Sequence, residues 1–233
     1  MHALRDAGDR LAYGAAALAL NLALALGAPA LAQEAAPSDA APRVLALGDS
    51  LTAGYGVPQG EGFVPELQGW LDANGVAAEI VNAGVSGDTT AGGLARLDWS
   101  LGEGVEAAIV ALGGNDLLRG VAPAASRANL DAILDALDAR GIPVLLIGIQ
   151  APGNYGPDYK EQFDALFAEL AAEHDALFEP SFLGPLTDAA PLEEALRRFM
   201  QPDGIHPNET GVEIIVEAFG PRVAELVARA DGG

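Results

Sequence analysis

Five short, continuous runs of apolar residues recur along the chain, and each is separated from the next by a segment with helical spacing. Such runs between turn residues are typical of strands that are buried on both faces. The predicted strands are 44–47, 76–81, 107–112, 142–149 and 176–180. Strands that alternate with helices pair in parallel through right-handed crossovers. The pattern therefore predicts an α/β fold, a three-layer α/β/α sandwich around a five-stranded parallel sheet.

The segments between these runs carry apolar residues at helical spacing and end near Gly, Asn or Pro. The predicted helices are 63–74, 89–101, 124–140, 159–174, 192–199 and 208–230. Residues 43–230 contain no internal repeat, charge block or linker. We therefore predict one domain over 43–230.

The N-terminal segment has the features of a cleavable signal peptide. Residues 11–32 carry no charge, and Ala30-Leu31-Ala32 fits the small-x-small rule for signal peptidase. The expected cut lies after Ala32, and 33–42 is read as a flexible, Ala/Pro-rich lead-in. The alternative is an uncleaved transmembrane anchor, since the charge-free stretch is long enough to span a bilayer. Cleavage is favoured because Asn21 and many Gly and Ala make the segment weakly apolar, which implies a periplasmic or secreted protein without stable membrane insertion.

The charge balance and the scarcity of certain side chains exclude several classes of function. The formal net charge is −21, with 12 basic residues against 33 acidic ones, which argues against a nucleic-acid partner. The chain has no cysteine, which excludes disulfides, thiolate metal sites and a cysteine nucleophile. Histidine occurs only at His2, His174 and His206, so few imidazoles are available and no metal site or cofactor is expected. His174 is expected at the surface.

Residues suited to catalysis follow the predicted strands. Ser50 comes directly after the first strand, Gly87 after the second and Asn115 after the third, while Asp203 and His206 precede the last helix. Because functional groups gather at the carboxyl ends of parallel strands, we expect these segments to lie at one edge of the sheet.

Together these residues supply what acyl transfer requires. Ser50 offers a nucleophilic hydroxyl, His206 a base, and Asp203 a carboxylate that fixes the tautomer of that base. The N–H groups of Ser50 and Gly87 and the side-chain amide of Asn115 are donors of the kind that form an oxyanion hole. The sequence therefore predicts a catalytic triad and an oxyanion hole from these five residues.

Each segment also has a structural interpretation. Gly48-Asp49-Ser50 is a common turn, and Asp88 could simply cap a helix. The segment 113–116 could be a tight turn and 203–207 a solvated loop. The four segments are weak indicators individually, but their combination in this order favours the catalytic interpretation.

The combination resembles the SGNH (GDSL) hydrolase family, and within it the bacterial acyl-CoA thioesterase I/lysophospholipase L1/arylesterase group. The segments that carry the resemblance are Leu47-Gly48-Asp49-Ser50-Leu51-Thr52-Ala53-Gly54-Tyr55-Gly56, Asn82-Ala83-Gly84-Val85-Ser86-Gly87-Asp88-Thr89, Leu112-Gly113-Gly114-Asn115-Asp116-Leu117-Leu118-Arg119-Gly120 and Asp203-Gly204-Ile205-His206-Pro207-Asn208. Shorter similarities at Ala95-Arg96-Leu97 and Pro152–Gly156 extend it over roughly 43–230.

The resemblance implies a flavodoxin-like strand order, 2-1-3-4-5, and a serine esterase that forms an acyl-enzyme on Ser50. It implies a small-molecule acyl ester or thioester as substrate. No cofactor is expected, and we expect the protein to be a monomer. The resemblance also implies that Leu117, Leu118 and Tyr155 border an acyl groove. For the two leucines, ordinary core packing is the alternative.

Two other functions remain open from the sequence. A carbohydrate O-acetylesterase or acetyltransferase would use the same triad. A non-catalytic flavodoxin-like binding module would keep the fold without the chemistry, although no Gly-rich nucleotide-binding motif is present.

Overall fold

The described part of the chain, residues 41–232 of a computed structural model, begins just before the first strand. The predicted signal peptide, 1–32, and most of the predicted lead-in lie outside the described residues. Within the described part, no helix combines the length and the hydropathy needed to cross a membrane.

Five parallel strands form a single sheet in the order β2-β1-β3-β4-β5. The strands are β1 (Arg43–Gly48), β2 (Glu79–Gly84), β3 (Val105–Ala111), β4 (Val144–Ile147) and β5 (Leu177–Glu179). The α/β class, the parallel pairing and the strand order are those predicted.

Helices connect the strands and cover both faces of the sheet. They are α1 (Ser50–Ala53), α2 (Phe63–Ala73), α3 (Thr90–Leu101), α4 (Gly114–Leu118), α5 (Pro123–Asp138), α6 (Pro157–Glu173), α7 (Gly184–Ala189), α8 (Leu192–Phe199) and α9 (Glu209–Asp231), with a short 3-10 turn at Gly153–Tyr155. The sequence did not predict α1, α4 or α7. Each is short, so its apolar residues show no clear helical period.

Alternate residues of each strand pack into two separate cores. In β1, Val44 and Ala46 face a core closed by α2, α7, α8 and α9, whereas Leu45 and Leu47 face a core closed by α3, α5 and α6. All four are fully buried. This burial on both faces explains why the central strands are continuously apolar.

The second strand starts three residues later than the sequence predicted. The predicted strand covers 76–81, but β2 runs from Glu79 to Gly84 and pairs with β1 from Arg43 onward. As an edge strand, β2 is only partly buried and does not need a continuous apolar sequence. The Gln68 side chain accepts from the Ile80 N–H and donates to the Ala78 carbonyl, which satisfies backbone groups at this edge.

His174 joins two helices rather than lying free at the surface. It ends α6, and its side chain is only 9% exposed. Nδ1 lies 2.6 Å from Asp138 and Nε2 lies 2.9 Å from Asp131, both on α5. Burial lowers the pKa of His174, but the hydrogen bonds and charges of the two carboxylates outweigh it, so the pKa lies above its ordinary value.

This arrangement predicts a pH-dependent contribution to stability. A histidine whose pKa is higher in the folded than in the unfolded protein stabilises the fold fully below its ordinary pKa, near 6.5. The contribution is lost as pH rises through the raised value. We expect the difference in unfolding free energy between the native protein and His174→Gln to be largest at pH 5.5 and to shrink toward pH 8.5. Urea denaturation at several pH values measures it. A difference that grows with pH would contradict the paired, charged histidine.

Candidate active site

A cavity of about 200 Å³ opens at the carboxyl ends of β1, β2 and β3. Its lining residues come from four separate segments of the chain: Asp49, Ser50, Leu51, Tyr55, Ser86, Gly87, Gly114, Asn115, Leu118, Ile205 and His206. The structure therefore brings together the segments that the sequence placed at one sheet edge.

Ser50 is the first residue of α1, and only Asp49 separates it from the end of β1. Asp49 caps this turn, since its carboxylate accepts from the Leu51 N–H at 3.0 Å. The turn packs closely on the end of β2, where a Cβ on Gly84 would overlap the backbone of Ala53. The short helix thus holds the Ser50 hydroxyl on a rigid support.

Ser50, His206 and Asp203 form a continuous hydrogen-bonded chain. His206 Nε2 lies 2.8 Å from Ser50 Oγ, and His206 Nδ1 lies 2.7 Å from Asp203 Oδ2. An ionised carboxylate only accepts, so Nδ1 carries the proton and, in the neutral ring, Nε2 accepts from the hydroxyl. In this tautomer the imidazole is oriented to take the proton of Ser50.

Asp203 is held in its ionised form. The hydrogen bond from His206, with further bonds from the backbone N–H groups of Ile205 and His206, lowers the pKa of Asp203 to about 2. The carboxylate therefore keeps its negative charge over the whole neutral range and can stabilise a protonated His206 ring.

The loop that carries His206 is tied down by Gln201 and covered by Tyr55. The Gln201 side-chain amide donates to the Tyr55 and Pro207 carbonyls, and its backbone N–H donates to the His206 carbonyl. The Tyr55 ring lies 4.6 Å from the His206 ring, centroid to centroid. The sequence does not point to Gln201, because its contact with Tyr55 joins segments 146 residues apart.

Two backbone N–H groups at the cavity are free to bind a ligand. Among the described residues, the N–H groups of Ser50 and Gly87 donate no hydrogen bond to the protein. Gly87 has φ of +88°, a conformation that side-chain-bearing residues rarely adopt. Glycine at position 87 therefore allows the backbone conformation that orients this N–H group.

Asn115 completes the set of donors on the other side of the cavity. Its Nδ2 lies 3.3 Å from Asp49 Oδ2, which fixes the side-chain nitrogen, rather than the oxygen, toward Asp49. An amide nitrogen has two hydrogens, so one remains for a substrate oxygen. Burial raises the pKa of Asp49, whose side chain is almost fully enclosed.

A buried carboxylate links the loops that carry Gly87 and Asn115. Asp116 accepts from the N–H and hydroxyl of Thr90 at 2.8 and 2.6 Å, and from the Ser126 hydroxyl at 3.1 Å. The only signal for it in the sequence is a charged residue beside Asn115 at the end of a strand.

A second link is formed by Arg96. Its guanidinium donates to the Asp88 carboxylate at 2.6 Å and to the Gly48 carbonyl at 2.9 Å. Arg96 therefore ties the end of β1 to the loop that carries Gly87. The sequence similarity at Ala95-Arg96-Leu97 includes this arginine but does not predict its contacts.

The three predicted acyl-groove residues have different surroundings. Leu118 lines the cavity and is 58% exposed. Leu117, the residue before Leu118 on α4, is 8% exposed and packs into the core closed by α3, α5 and α6. Its position corresponds to the core alternative and not to the predicted groove. Tyr155 is exposed and does not line the cavity, but its hydroxyl donates to the Leu118 carbonyl at 3.4 Å.

Other clusters in the described part of the chain lack this chemistry. A groove of about 780 Å³ between β5, α7 and α9 is larger, but its lining contains no hydroxyl paired with a histidine. Asp131, Asp135 and His174 place possible metal ligands within 4.8 Å of one another. Both ring nitrogens of His174 are already paired with carboxylates, so charge pairing accounts for that cluster.

Comparison with known proteins identifies similar enzymes over most of the chain. A profile of the GDSL-like lipase/acylhydrolase family matches residues 46–214. Esterase TesA of Pseudomonas aeruginosa is 40% identical over 210 residues, which cover 90% of this chain and 99% of the relative. Thioesterase 1/protease 1/lysophospholipase L1 of Escherichia coli is 37% identical over 191 residues, 81% of this chain and 86% of the relative.

A solved structure has a similar fold. The crystal structure of AlinE4, described as an SGNH-hydrolase family esterase, superposes with a TM-score of 0.64 at 45% identity. The alignment covers 79% of this chain and 96% of that chain.

Proposed function

The chain belongs to the GDSL-like lipase/acylhydrolase family, the SGNH hydrolases, and on that basis we propose that Ser50, His206 and Asp203 are its catalytic triad. Membership makes the protein a serine hydrolase that cleaves ester bonds, with esterases and a thioesterase among its relatives. The observation that supports the triad is the chain of short contacts from Ser50 Oγ through the His206 ring to Asp203.

In the first step, His206 Nε2 takes the proton of Ser50 as Oγ bonds to the acyl carbon of the substrate. The carbonyl oxygen becomes an oxyanion, which accepts hydrogen bonds from the N–H groups of Ser50 and Gly87 and from the Asn115 amide. The protonated ring is stabilised by the Asp203 carboxylate. His206 then donates its proton to the departing alcohol or thiol, which leaves an ester on Ser50.

The second step repeats this chemistry with water. His206 removes a proton from a water molecule, whose oxygen attacks the acyl carbon of the Ser50 ester. The same three donors hold the second oxyanion. As this intermediate collapses, His206 returns the proton to Ser50 Oγ and the carboxylic acid is released.

The acyl side of the substrate is apolar in this proposal. Large apolar side chains are exposed at few places in the described part of the chain, and five of them surround the cavity or adjoin its lining: Tyr55, Val85, Leu118, Tyr155 and Ile205. Exposed apolar residues collected in one place mark a binding surface. Acyl chains longer than acetyl can cover this surface, which favours short to medium acyl esters, aryl esters and lysophospholipids.

The location and assembly complete the proposal. The charge-free segment before the Ala30-Leu31-Ala32 site supports export, with cleavage after Ala32 and a periplasmic or secreted enzyme. All the proposed catalytic groups come from one chain, so a monomer contains a whole site.

The proposal is tested by a panel of 4-nitrophenyl esters from acetate to dodecanoate, with acyl thioesters in parallel. We expect kcat/KM to rise from acetate through the medium-chain esters, because each methylene that becomes buried adds about 0.8 kcal/mol, or roughly fourfold. Turnover by an equal amount of Ser50→Ala protein supplies the blank. A preference for acetate with rejection of longer chains would favour the second candidate, an O-acetylesterase that uses the same triad, and would contradict an acyl groove.

A further inference from the structure

Basic side chains are rare in this protein and almost all of those described are paired with carboxylates. The side chains with a carboxylate oxygen within 4.0 Å are those of Arg43, Arg96, Arg127, Arg140, Lys160, Arg198, Arg222 and Arg229. Within residues 41–232, Arg119 and Arg197 have no such partner. In a chain with a net charge of −21, a cation without a carboxylate is unusual.

Arg119 lies beside the proposed oxyanion hole. It ends α4, directly after Leu118, which lines the cavity. Its Nη2 donates to the Gly87 carbonyl at 2.8 Å, and Gly87 also lines the cavity. The guanidinium is therefore fixed at the rim, next to the loop whose N–H group holds the oxyanion in our mechanism.

Two acidic residues close in sequence to Gly87 and Arg119 are already engaged by other groups. Asp88, which follows Gly87, pairs with Arg96 at 2.6 Å. Asp116, three residues before Arg119, is buried and accepts from Thr90 and Ser126. Neither carboxylate neutralises Arg119, so its positive charge faces the solvent beside the cavity.

The Arg119 guanidinium has N–H groups that make no hydrogen bond within the described residues. Arginine carries five N–H groups in a planar fork, and within the described residues this side chain has one acceptor, the Gly87 carbonyl. That bond holds the fork in place before a ligand arrives. A fixed fork suits the two oxygens of a carboxylate or phosphate better than a lysine ammonium does.

We propose that Arg119 forms an anion subsite at the rim of the active site, which binds a carboxylate or phosphate oxygen carried by the substrate. The proposal rests on the esterase mechanism above and adds a charged recognition element to an apolar groove. The bound anion lies either on the acyl chain or on the leaving group. Because the net charge of the protein repels anions from a distance, the subsite acts locally, after the substrate has arrived.

Two matched pairs of esters separate these sources. The first pair places the anion on the acyl side: 4-nitrophenyl hydrogen adipate and its neutral methyl ester. The second pair places it on the leaving group: 4-carboxyphenyl butyrate and its neutral methyl ester. For each pair the measurement is the ratio of kcat/KM for the anionic ester to that for the neutral ester.

We expect Arg119→Gln to lower this ratio about tenfold for one pair, the loss that corresponds to one charge-assisted hydrogen bond. For that pair, the ratio for Arg119→Lys should lie between those of the native protein and Arg119→Gln, because lysine keeps the charge without the planar fork. Arg140→Gln is the matched control: it removes one positive charge from an exposed pair with Asp98, away from the cavity lining, and should leave both ratios unchanged. Raising the salt concentration should shrink the effect.

Asn115→Ala is the comparator for a loss that does not depend on substrate charge. Removing one oxyanion donor should reduce turnover about 10²–10³-fold for the anionic and neutral esters alike. If Arg119→Gln behaves in this way, with rates lowered but both ratios unchanged, Arg119 only holds the Gly87 loop and the anion subsite is wrong. Failure of the unsubstituted protein to hydrolyse the neutral esters would instead contradict the proposed function.

Discussion

Replacing Ser50 by alanine should reduce kcat by about six orders of magnitude, the scale observed when a serine hydrolase loses its nucleophile. The reason is structural: His206 Nε2 then loses its hydroxyl partner, and no other hydroxyl in the described residues is hydrogen-bonded to this ring. The oxyanion donors remain, so a residual rate above that of water alone is expected. Measurement of kcat with a 4-nitrophenyl ester tests this result.

A fluorophosphonate gives a second measurement that does not depend on the choice of substrate. Ser50 Oγ attacks phosphorus and fluoride leaves, so the protein should gain one adduct, located on the peptide that contains Ser50. Ser50→Ala should gain none. Ser86→Ala is the matched control, because Ser86 lines the same cavity but has no hydrogen bond to His206, and it should still be labelled. An unlabelled but folded native protein would mean that Ser50 is not activated.

Asp203→Asn should lower kcat by about 10⁴ while leaving the fold intact. Asp203 Oδ1 accepts from the N–H groups of Ile205 and His206, so the oxygen of an asparagine stays at that position. The asparagine NH₂ then faces His206 Nδ1 and donates to it. The ring is forced into the tautomer with its proton on Nε2, which cannot accept the proton of Ser50.

The kinetic pattern distinguishes this explanation from simple loss of structure. We expect kcat to fall with little change in KM, a slower rate of fluorophosphonate labelling and a protein that still unfolds in one cooperative transition. Because the pKa of Asp203 is about 2, activity of the native protein between pH 5 and 8 should not reflect titration of this carboxylate. A loss of less than tenfold in Asp203→Asn would show that another group orients His206.

The fold could be predicted well where burial dictates sequence. The central strands β1, β3 and β4 are enclosed on both faces, so their apolar runs identify them and their parallel pairing. The predicted bounds of β2 were three residues too early, because an exposed edge strand permits polar residues such as Asn82. The prediction missed α1 and α4, since one-turn helices are held by caps and neighbours rather than by a repeating pattern.

The residues of the candidate site could be predicted from the sequence, but the side chains that hold its loops together could not. Ser50, Gly87, Asn115, Asp203 and His206 have side chains or backbones suited to acyl transfer, and the structure places the segments that carry them around one cavity or in contact with it. The pattern of residues along one sequence does not show which distant loops contact each other.

The contacts of Asp116, Arg96 and Gln201 are of this kind. Each joins loops that are far apart in the chain, and none of these side chains lines the cavity. The inward direction of Leu117 was equally out of reach, because it depends on how α4 packs against the core.

The order of the site residues along the chain has a consequence for synthesis. His206 follows Ser50 by 156 residues, and α9, which closes the core beside α2, comes later still. In the proposed mechanism, a nascent chain carries its nucleophilic serine from early in translation but has no base until residue 206 has emerged and folded. Partly synthesised chains, and chains clipped before residue 206, should therefore bear an inert serine. We expect hydrolytic activity to be acquired only when the segment that carries His206 docks against the rest of the fold.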